Sequence, residues 1–433
     1  MKKITALFFL CTIIIFMFMA AYSYAYKKIN DVLNPADINV NNTDTQPLND
    51  TINIDWKQLY PFDDSLYVAF EEKKSIAEDI FDHIKERCEA YTSKSLAAYM
   101  YMVETSKKYK ELLGWNIVNM FEYNGVVKLH DGYLTSFTPP RDVTHTAEAV
   151  IKFSEYCMNN GINFFYVNYP VKTCIYEDKD ISGKLDFVNQ NADMLLAMLN
   201  KAGVKYYDFR KILHEDGMNH HEAFYKTDHH WKAETGLWAA RHILQILRDD
   251  YGWHVIAEVL NPDRFDYVNY PEWFLGSEGK KFTLARTQPD DFVMIYPKFK
   301  TLLKYEIPSI GLKTSGDFSI TYNMDAVAEK DYYGKNPYGA YDHGDQALIT
   351  IRNCLDSANK KFLVIHCSFS NSVIPFLSLG IQEIYSIDMR HFTGSIRKYI
   401  EQIHPDTVAV IYHSGFVGLT WDESKHNGAY DFR

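Results

Sequence analysis

The sequence predicts an α/β fold in which a parallel sheet is flanked by helices. Short apolar runs that suit buried strands alternate with segments whose apolar residues recur at helical spacing. This alternation occurs between residues 126 and 249 and again after residue 360. Strands that alternate with helices form parallel sheets, because each helix returns the chain to the edge where the next strand begins. In such sheets the active residues gather at the carboxyl ends of the strands.

The first alternating stretch opens with a strand or hairpin at Val126 to Leu134, which turns at Asp131-Gly132. Gly161 and Gly203 each mark the end of a helix. In chain order, the elements that follow are a helix from Val143 to Cys157, a strand from Asn163 to Asn168, a helix from Asp186 to Ala202, a strand from Lys205 to Phe209 and a helix after Trp231 to about Asp249. The second stretch contains three strands separated by helices, at Phe362 to Ile365, Glu383 to Ile387 and Thr407 to Tyr412.

Residues 1–25 are predicted to be a membrane anchor or a signal peptide. Lys2 and Lys3 precede an uncharged apolar run from Ile4 to about Tyr22. About 20 apolar residues span a bilayer as a helix, whereas the apolar core of a signal peptide is shorter. Ser23-Tyr24-Ala25 nevertheless resembles a cleavage site, so both interpretations stay open. Either one predicts an extracytoplasmic protein of the cell envelope, anchored by a single N-terminal transmembrane helix or secreted after cleavage.

The remaining chain is predicted to be a flexible linker at 26–60 followed by one α/β domain at 61–433. The linker is rich in Asn, Asp, Thr and Pro, and this composition buries too little apolar surface to offset its ordering entropy. The domain starts with a helical lead-in over 61–120. A segment at about 255–341, rich in aromatic residues, Pro and Asp, breaks the alternation and is predicted to be an insertion near the substrate.

Composition and charge exclude some classes of function. The formal net charge is -11 and no long basic stripe occurs, so nucleic acid is not expected as a partner. The sequence contains no cofactor motif, and the spacing of its six cysteines does not match a metal site. One cysteine lies in the apolar N-terminal run, and the five others cannot all pair, so a disulfide scaffold is not expected. The 32 Tyr and 7 Trp suit stacking on sugar rings, although aromatic residues mostly build cores.

The segment Thr227 to Trp231, with the sequence TDHHW, carries the clearest catalytic pattern. A general base needs an imidazole held in one tautomer, and a neighbouring carboxylate does this by accepting the Nδ1 proton. In an extended segment residues i and i+2 project to the same side, so Asp228 can orient His230 and not His229. Two alternatives stay open. Imidazoles are common metal ligands, although the i, i+4 spacing of a zinc motif is missing, and the segment could also be a polar surface loop.

A second pattern, KFLVIHCSFSNSVIPFL from Lys361 to Leu377, places Ser368 on a turn between a strand and a helix. A serine on such a turn is exposed at the edge of the sheet, where backbone N–H groups point towards a developing oxyanion. Ser368 is therefore the predicted nucleophile. Cys367 is the rival, but neighbouring side chains face opposite sides and a free Cys is often buried.

These patterns together resemble the DHHW proteins, which are SGNH-hydrolase-like relatives of the alginate O-acetylation proteins. The resemblance rests on Thr227 to Lys232 and extends to the hairpin at Asn124 to Leu134. It also includes the strand Phe164 to Lys172 that ends in Pro-x-Lys and, after Ser368, the residues Phe369-Ser370-Asn371 and Pro375-Phe376-Leu377. It implies an SGNH-hydrolase-like parallel sheet flanked by helices, with the permuted motif order in which Asp and His precede the serine.

The resemblance implies that Asp228 orients, His230 acts as the base and Ser368 is the nucleophile. Asn371, Tyr169 and His229 are candidates for the oxyanion hole or for substrate contacts, beside the N–H of Ser368 itself. The chain departs from the family pattern just before the serine, where it has His366-Cys367 instead of a Gly or Asp.

In function, the resemblance implies a serine O-acetyltransferase or acetylesterase that acts on cell-surface or exopolysaccharide carbohydrate through an acyl-serine intermediate. Transfer would need a membrane-bound O-acyltransferase as the acetyl donor, beside which the N-terminal helix would hold the chain. The alternative is a catalytically inactive carbohydrate-binding or assembly protein of a polysaccharide machine. The retained Asp228, His230 and Ser368 favour the enzyme, and the altered residues before Ser368 favour the alternative. No metal and no cofactor are expected.

Overall fold

An eight-stranded sheet organises the chain in the computed structural model, which describes residues 122–123, 125–129, 131–177, 186–419 and 428–433. In chain order the strands are β1 Glu122–Tyr123, β2 Val126–Lys128, β3 Leu134–Thr135, β4 Asn163–Tyr169, β5 Tyr206–Asp208, β6 Phe265–Phe274, β7 Asp290–Pro297, β8 Leu303–Ile307, β9 Leu312–Gly316, β10 Leu348–Asn353, β11 Lys361–His366, β12 Glu383–Ile387 and β13 Thr407–His413. The α-helices are α1 Thr144–Asn159, α2 Val188–Lys201, α3 Phe209–Glu215, α4 Ala233–Tyr251, α5 Ala257–Leu260, α6 Ser277–Phe282, α7 Ile374–Leu377 and α8 Ile396–Ile403.

The parallel part of the sheet confirms the predicted fold class. The strand order is β5-β4-β13-β11-β12-β10-β8-β9, and the first five strands run parallel. Strands β4, β11 and β13 are buried on both faces apart from their end residues, which explains their nearly continuous apolar sequences. The carboxyl ends of β4, β13 and β11 therefore lie side by side at one edge of the sheet.

Helices cover this sheet through apolar faces that the sequence spacing predicted. α1 packs against α2 and β4, with Val150, Phe153 and Cys157 fully buried. α4 carries ten buried residues and packs against α7 and β7. It ends at Gly252, whose φ of 69° gives the left-handed C-terminal cap that favours glycine.

The sheet extends beyond the parallel strands in a way that the sequence did not predict. β10 runs antiparallel to both β12 and β8, and β8 pairs antiparallel with β9. β8 and β9 belong to the segment 255–341 that was expected to be an insertion, so part of that segment continues the main sheet. The same segment contributes β6 and β7, which pair only with each other among the described residues.

The predicted early hairpin is present as a small three-stranded sheet, β1-β2-β3, with the turn at Asp131-Gly132 between β2 and β3. Gly132 has a φ of 93°, and its N–H donates to the carbonyl of Leu129 at 3.0 Å. Leu134 in turn donates its N–H to the carbonyl of Lys226 at 2.8 Å. This contact ties the hairpin to the segment that carries Asp228 and His230.

The prediction of a cell-envelope protein held by one membrane-spanning helix is wrong for the part of the chain that the structure describes. No helix within these residues is long and apolar enough to cross a membrane. The longest of them, α4, has 19 residues and includes charged side chains at Glu234, Arg241 and Arg248, whereas a span needs about 20 predominantly apolar residues. The apolar run from Ile4 to about Tyr22, the linker at 26–60 and the lead-in at 61–120 lie outside the described residues.

Candidate functional site

The turn after β11 positions Ser368 at the carboxyl edge of the sheet. β11 ends at His366, and a 3-10 helix, Ser368–Ser372, follows directly. Indole Nε1 of Trp231 donates to the carbonyl of Phe369 at 2.9 Å, and the hydroxyl of Tyr338 donates to the carbonyl of Ser368 at 3.1 Å. These two bonds hold the turn from both sides, so the backbone around Ser368 is fixed by side chains from distant parts of the sequence.

The structure brings Ser368, His230 and Asp228 into one hydrogen-bonded chain. Oγ of Ser368 lies 2.7 Å from Nε2 of His230, and Nδ1 of His230 lies 2.5 Å from Oδ1 of Asp228. All three are at least nine-tenths buried, with Ser368 8% exposed and His230 7%. The arrangement has the atoms, order and distances of a Ser-His-Asp triad, in which the carboxylate fixes the Nδ1–H tautomer and leaves Nε2 to accept the serine proton.

Asp228 is held as a carboxylate by its surroundings. Burial alone would raise its pKa, but the neighbouring His229 and His230 and hydrogen bonds from the His230 ring and the Ser277 N–H outweigh burial. The pKa of Asp228 therefore lies well below its usual value. Oδ2 accepts the Ser277 N–H at 2.7 Å, and a Cβ atom at Gly276 would overlap the Asp228 side chain. Only glycine therefore fits at position 276.

The Asp228–His230 contact arises from a turn and not from the extended segment that the sequence suggested. Phe224 and Trp231 form an isolated antiparallel bridge, and residues 226–230 between them are a series of bends. Oδ1 of Asp228 accepts the backbone N–H of His230 at 3.0 Å, as in an Asx-turn. Asp290 completes the turn from β7, since its carboxylate accepts the backbone N–H groups of Lys226 and Thr227 at 2.7 and 2.8 Å.

The three further candidates from the sequence lie in different environments. Nδ2 of Asn371 donates to Oδ1 of Asp345 at 2.9 Å, so one of its two N–H groups is engaged outside the turn. Tyr169 is fully buried in the core and packs on Trp231, with ring centroids 4.3 Å apart. His229 is the one that faces solvent, with its side chain 46% exposed and its ring 3.9 Å from that of His230.

The unusual residues before the serine point away from the site. Nε2 of His366 lies 2.5 Å from Oγ of Ser386 on the neighbouring strand, and Nδ1 lies 2.9 Å from the carbonyl of Cys367. Cys367 is fully buried, and burial raises the pKa of its thiol to about 12. The thiol is therefore protonated near neutral pH and inaccessible, which removes the main structural reason to consider Cys367 as the nucleophile.

A metal site was the other interpretation of the histidine pair. Ligand atoms of Asp228, His229 and His230 lie within 4.8 Å of one another. Both ring nitrogens of His230 are engaged, one by Asp228 and the other by Ser368. The donor set is therefore arranged for hydrogen bonding between these groups, and a cation would have to displace those bonds.

Sequence analysis missed Tyr338. Its ring stacks on that of His230, with centroids 4.0 Å apart and an interplanar angle of 15°. Its hydroxyl also donates to the carbonyl of Phe369 at 3.1 Å and lies 3.2 Å from Oγ of Ser372. Burial raises the pKa of Tyr338 well above its usual value, so the hydroxyl remains a donor. A tyrosine among 32 carries no distinguishing signal, and only the fold brings it to the site.

Comparisons with known proteins agree with this architecture. Residues 133–258 match the family described as the SGNH hydrolase-like domain of the acetyltransferase AlgX. No curated protein matches the chain. A structure of Bacillus cereus PatB1 with a sulfonyl adduct is 18% identical, with a TM-score of 0.58 over 72% of this chain and 99% of that one. A DHHW family protein from Eubacterium siraeum is 17% identical, with a TM-score of 0.55 over 69% of this chain and 94% of that one.

At these identities the solved structures establish the shared fold, while the family match covers the region that contains Asp228 and His230. The order of the motifs along the chain, with Asp228 and His230 before Ser368, fits the permuted pattern of the resemblance. Residues 133–258 are therefore similar to the SGNH hydrolase-like domain of AlgX, and the chain shares its fold with the DHHW family protein, in agreement with the resemblance seen in the sequence.

Proposed function

We propose that the protein is a serine acyltransferase or esterase that moves acetyl groups on carbohydrate through an acyl-Ser368 intermediate. The observation that carries the proposal is the 2.7 Å contact between Oγ of Ser368 and Nε2 of His230, with Asp228 on the far side of the same ring. A serine is a weak nucleophile until an adjacent base accepts its proton, and this geometry provides that base.

In the first half-reaction, Oγ of Ser368 attacks the carbonyl carbon of an acetyl donor while its proton moves to Nε2 of His230. Asp228 stabilises the resulting imidazolium through the Nδ1–H bond and stays ionised throughout. The C–O bond of the donor then breaks. His230 returns the proton to the departing oxygen, and the acetyl group remains as an ester on Ser368.

In the second half-reaction, His230 removes a proton from the hydroxyl that attacks the acetyl-Ser368 ester. A sugar hydroxyl gives O-acetylation, and water gives net ester hydrolysis. The tetrahedral intermediate breaks its bond to Oγ, and the proton on His230 returns to Ser368. Acid–base assistance of this kind contributes about 10²–10⁴-fold.

The oxyanion that forms in both half-reactions needs hydrogen-bond donors. We assign the backbone N–H of Ser368 as one of them, because the first N–H groups of a helix have no acceptor within the helix and Ser368 begins the 3-10 helix. Asn371 donates one of its two Nδ2 hydrogens to Asp345, which leaves the other as a second candidate donor. Tyr169 is less suited, since it is fully buried.

The carbohydrate assignment draws on the family match, whose description names an acetyltransferase. In the transfer direction the acetyl group would come from a partner protein, and a membrane-bound O-acyltransferase is the proposed donor. Polysaccharide of the cell surface is the proposed acceptor. The alternative of a binding protein without catalysis loses its main support, because the altered His366 and Cys367 face away from Ser368.

The test is turnover of 4-nitrophenyl acetate by the full chain and by its Ser368→Ala variant. Saturable release of nitrophenol that falls to background in the variant supports an acyl-serine enzyme. Ser370→Ala is a matched control in the same turn, and it should keep most of the activity because Ser370 is fully buried and the His230 ring is bonded to Asp228 and Ser368 instead. Equal rates for all three proteins would favour a carbohydrate-binding protein.

A further inference from the structure

A cavity of about 240 Å³ opens beside the proposed triad. Its wall includes His229, whose ring lies 3.9 Å from that of His230, and Phe369, which follows Ser368 in the chain. Ser368 does not line it. Sites for drug-sized ligands measure roughly 300–1,000 Å³, so this cavity admits a single ring. A ring held here lies next to the nucleophile without occupying the position of the acyl group.

The polar groups of the wall suit a neutral ligand that carries hydroxyl groups. Lys172 and Glu278 are both buried and pair at 2.8 Å, so their charges offset each other. The other two charged residues of the wall, Asp186 and Lys281, are opposite in sign, and Asp186 accepts from the hydroxyl of Thr173 at 2.7 Å and from the Val188 N–H at 3.1 Å. The side chains of Thr135, Ser136, Thr138 and Ser277 add hydroxyl groups to the wall.

His413 ends β13 at the carboxyl edge of the sheet, beside the turn that carries Ser368. β11 and β13 are adjacent parallel strands with His366 opposite Ile411. The His413 ring lies 4.4 Å from that of Phe369, and His413 lines the cavity.

The hydrogen bonding of His413 determines which of its nitrogens carries the proton. Nδ1 accepts the backbone N–H of Gly415 at 3.0 Å, so it cannot be protonated. Burial and the neighbouring His229 and His230 hold the pKa of His413 well below its usual value, which keeps the ring neutral. A neutral imidazole that accepts at Nδ1 donates at Nε2. Within the described parts of the chain, no group accepts from this Nε2–H.

Gly415 fixes the orientation of this ring from a second direction. A Cβ atom at position 415 would lie 2.7 Å from Cε1 and 2.9 Å from Nδ1 of His413. Both distances are shorter than Cβ atoms make to non-bonded atoms in proteins, so any other residue would displace the ring. Nη1 of Arg141 donates to the carbonyls of Gly415 and Val417 at 2.8 and 3.1 Å and holds the loop in place. The imidazole is therefore clamped with its Nε2–H available to the cavity.

We propose that this cavity binds one neutral, hydroxyl-bearing sugar ring of the acceptor, and that Nε2–H of His413 donates a hydrogen bond to an oxygen of that ring. The proposal rests on the proposed function, because it assigns the acceptor of the acetyl group. It adds His413 as a substrate-positioning residue that acts in the second half-reaction and not in acylation of Ser368.

The test measures binding without chemistry, in full-length protein with Ser368→Ala. Neutral methyl glycosides of glucose and N-acetylglucosamine and the anionic methyl glucuronide are titrated and followed by NMR. A neutral glycoside should bind saturably. Adding His413→Asn, which keeps an acceptor for the Gly415 N–H but lacks the outer donor, should weaken binding about three- to tenfold, the value of one neutral hydrogen bond. Adding His413→Gln, which places an amide near the Nε2 position, should restore much of it.

Two controls separate this proposal from general damage and from failure of the proposed function. With Ser368 in place, His413→Asn should lower the affinity for the neutral glycoside by a larger factor than it lowers the rate of reaction with a sulfonyl fluoride, since His413 acts on the acceptor. Gly415→Ala, which displaces the ring without changing it, should weaken glycoside binding as His413→Asn does. Absence of glycoside binding, a preference for the glucuronide alone, or unchanged binding in His413→Asn would each overturn the proposal. Failure of Ser368 to form an adduct would contradict the proposed function while leaving the binding result intact.

Discussion

The ring of Tyr338 lies flat against that of His230, with centroids 4.0 Å apart, while its hydroxyl donates to the carbonyl of Ser368 at 3.1 Å. One side chain thus limits the movement of the proposed base and fixes the backbone of the proposed nucleophile. The stacking and the hydrogen bond can be separated by mutation.

Tyr338→Phe should keep the stacked ring and lose the hydrogen bonds to the turn. We expect a loss of stability of about 0.5–1.5 kcal/mol, the net value of one hydrogen bond, because the Phe369 carbonyl keeps its bond from Trp231, and a lower kcat with little change in KM. Chemical denaturation and ester hydrolysis measure the two effects. Tyr338→Leu, which removes the stacking too, should lower kcat further. Equal kcat values for wild type and Tyr338→Phe would show that the turn is held without this hydroxyl.

Asp228→Asn should leave the turn largely in place but weaken the control of the His230 tautomer. An amide oxygen can still accept from Nδ1–H, but an amide nitrogen in that position would force the proton onto Nε2 and block it as a base. The loss in kcat expected for a triad carboxylate is about 10⁴-fold. Asp290→Asn is a matched control, since Asp290 holds the same turn through backbone N–H groups without touching His230. A similar loss in both variants would mean that Asp228 acts through the turn alone.

The sequence predicted the pair Asp228 and His230 because their spacing is local, and it predicted Ser368 because a strand-to-helix turn has a recognisable pattern. It predicted the parallel strands because their two-sided burial leaves continuous apolar runs. It did not predict β10, whose apolar residues alternate with polar ones over only six positions. Nor did it identify Tyr338, Ser277 or His413, because each reaches the site through tertiary packing from an element whose local sequence resembles many others.

The buried ion pair of Lys172 and Glu278 should stabilise the wall of the cavity beside Ser368. Lys172 also donates to the carbonyl of Leu134, so it joins the end of β4 to the hairpin and α6. Lys172→Met should destabilise the fold by about 3–5 kcal/mol, because it leaves Glu278 buried without its partner. Lys172→Met with Glu278→Leu should recover much of this loss. Denaturant unfolding of Lys172→Met, Glu278→Leu and the double variant gives the coupling free energy between the two side chains. If the two single losses of stability simply add in the double variant, the two side chains are not coupled as a buried ion pair.

The buried carboxyl group of Asp342 should make the free energy of unfolding fall as pH rises. It is fully buried, and burial raises its pKa to about 8 although the hydroxyl of Tyr305 donates to it at 2.8 Å. The folded state therefore holds a proton that the unfolded state releases from about pH 4 upwards. Asp342 then lowers stability as pH rises between these two pKa values, by up to about 1.4 kcal/mol per pH unit.

Asp342→Asn removes this titration with little change in shape, and asparagine accepts the φ of 54° found at this position. The variant should match the wild type near pH 4 and exceed it in stability near pH 8. Urea unfolding at several pH values measures the difference. Parallel stability curves for the two proteins would mean that Asp342 is ionised in the folded state.

The proposed activation of Ser368 by His230 is tested most directly by mass spectrometry of the protein after reaction with phenylmethylsulfonyl fluoride. We expect one sulfonyl adduct per chain, located on the peptide that contains Ser368, and none on Cys367. We expect no adduct in Ser368→Ala and a much slower reaction in His230→Ala. An adduct on another residue, or equal labelling of wild type and Ser368→Ala, would show that Ser368 is not the activated nucleophile.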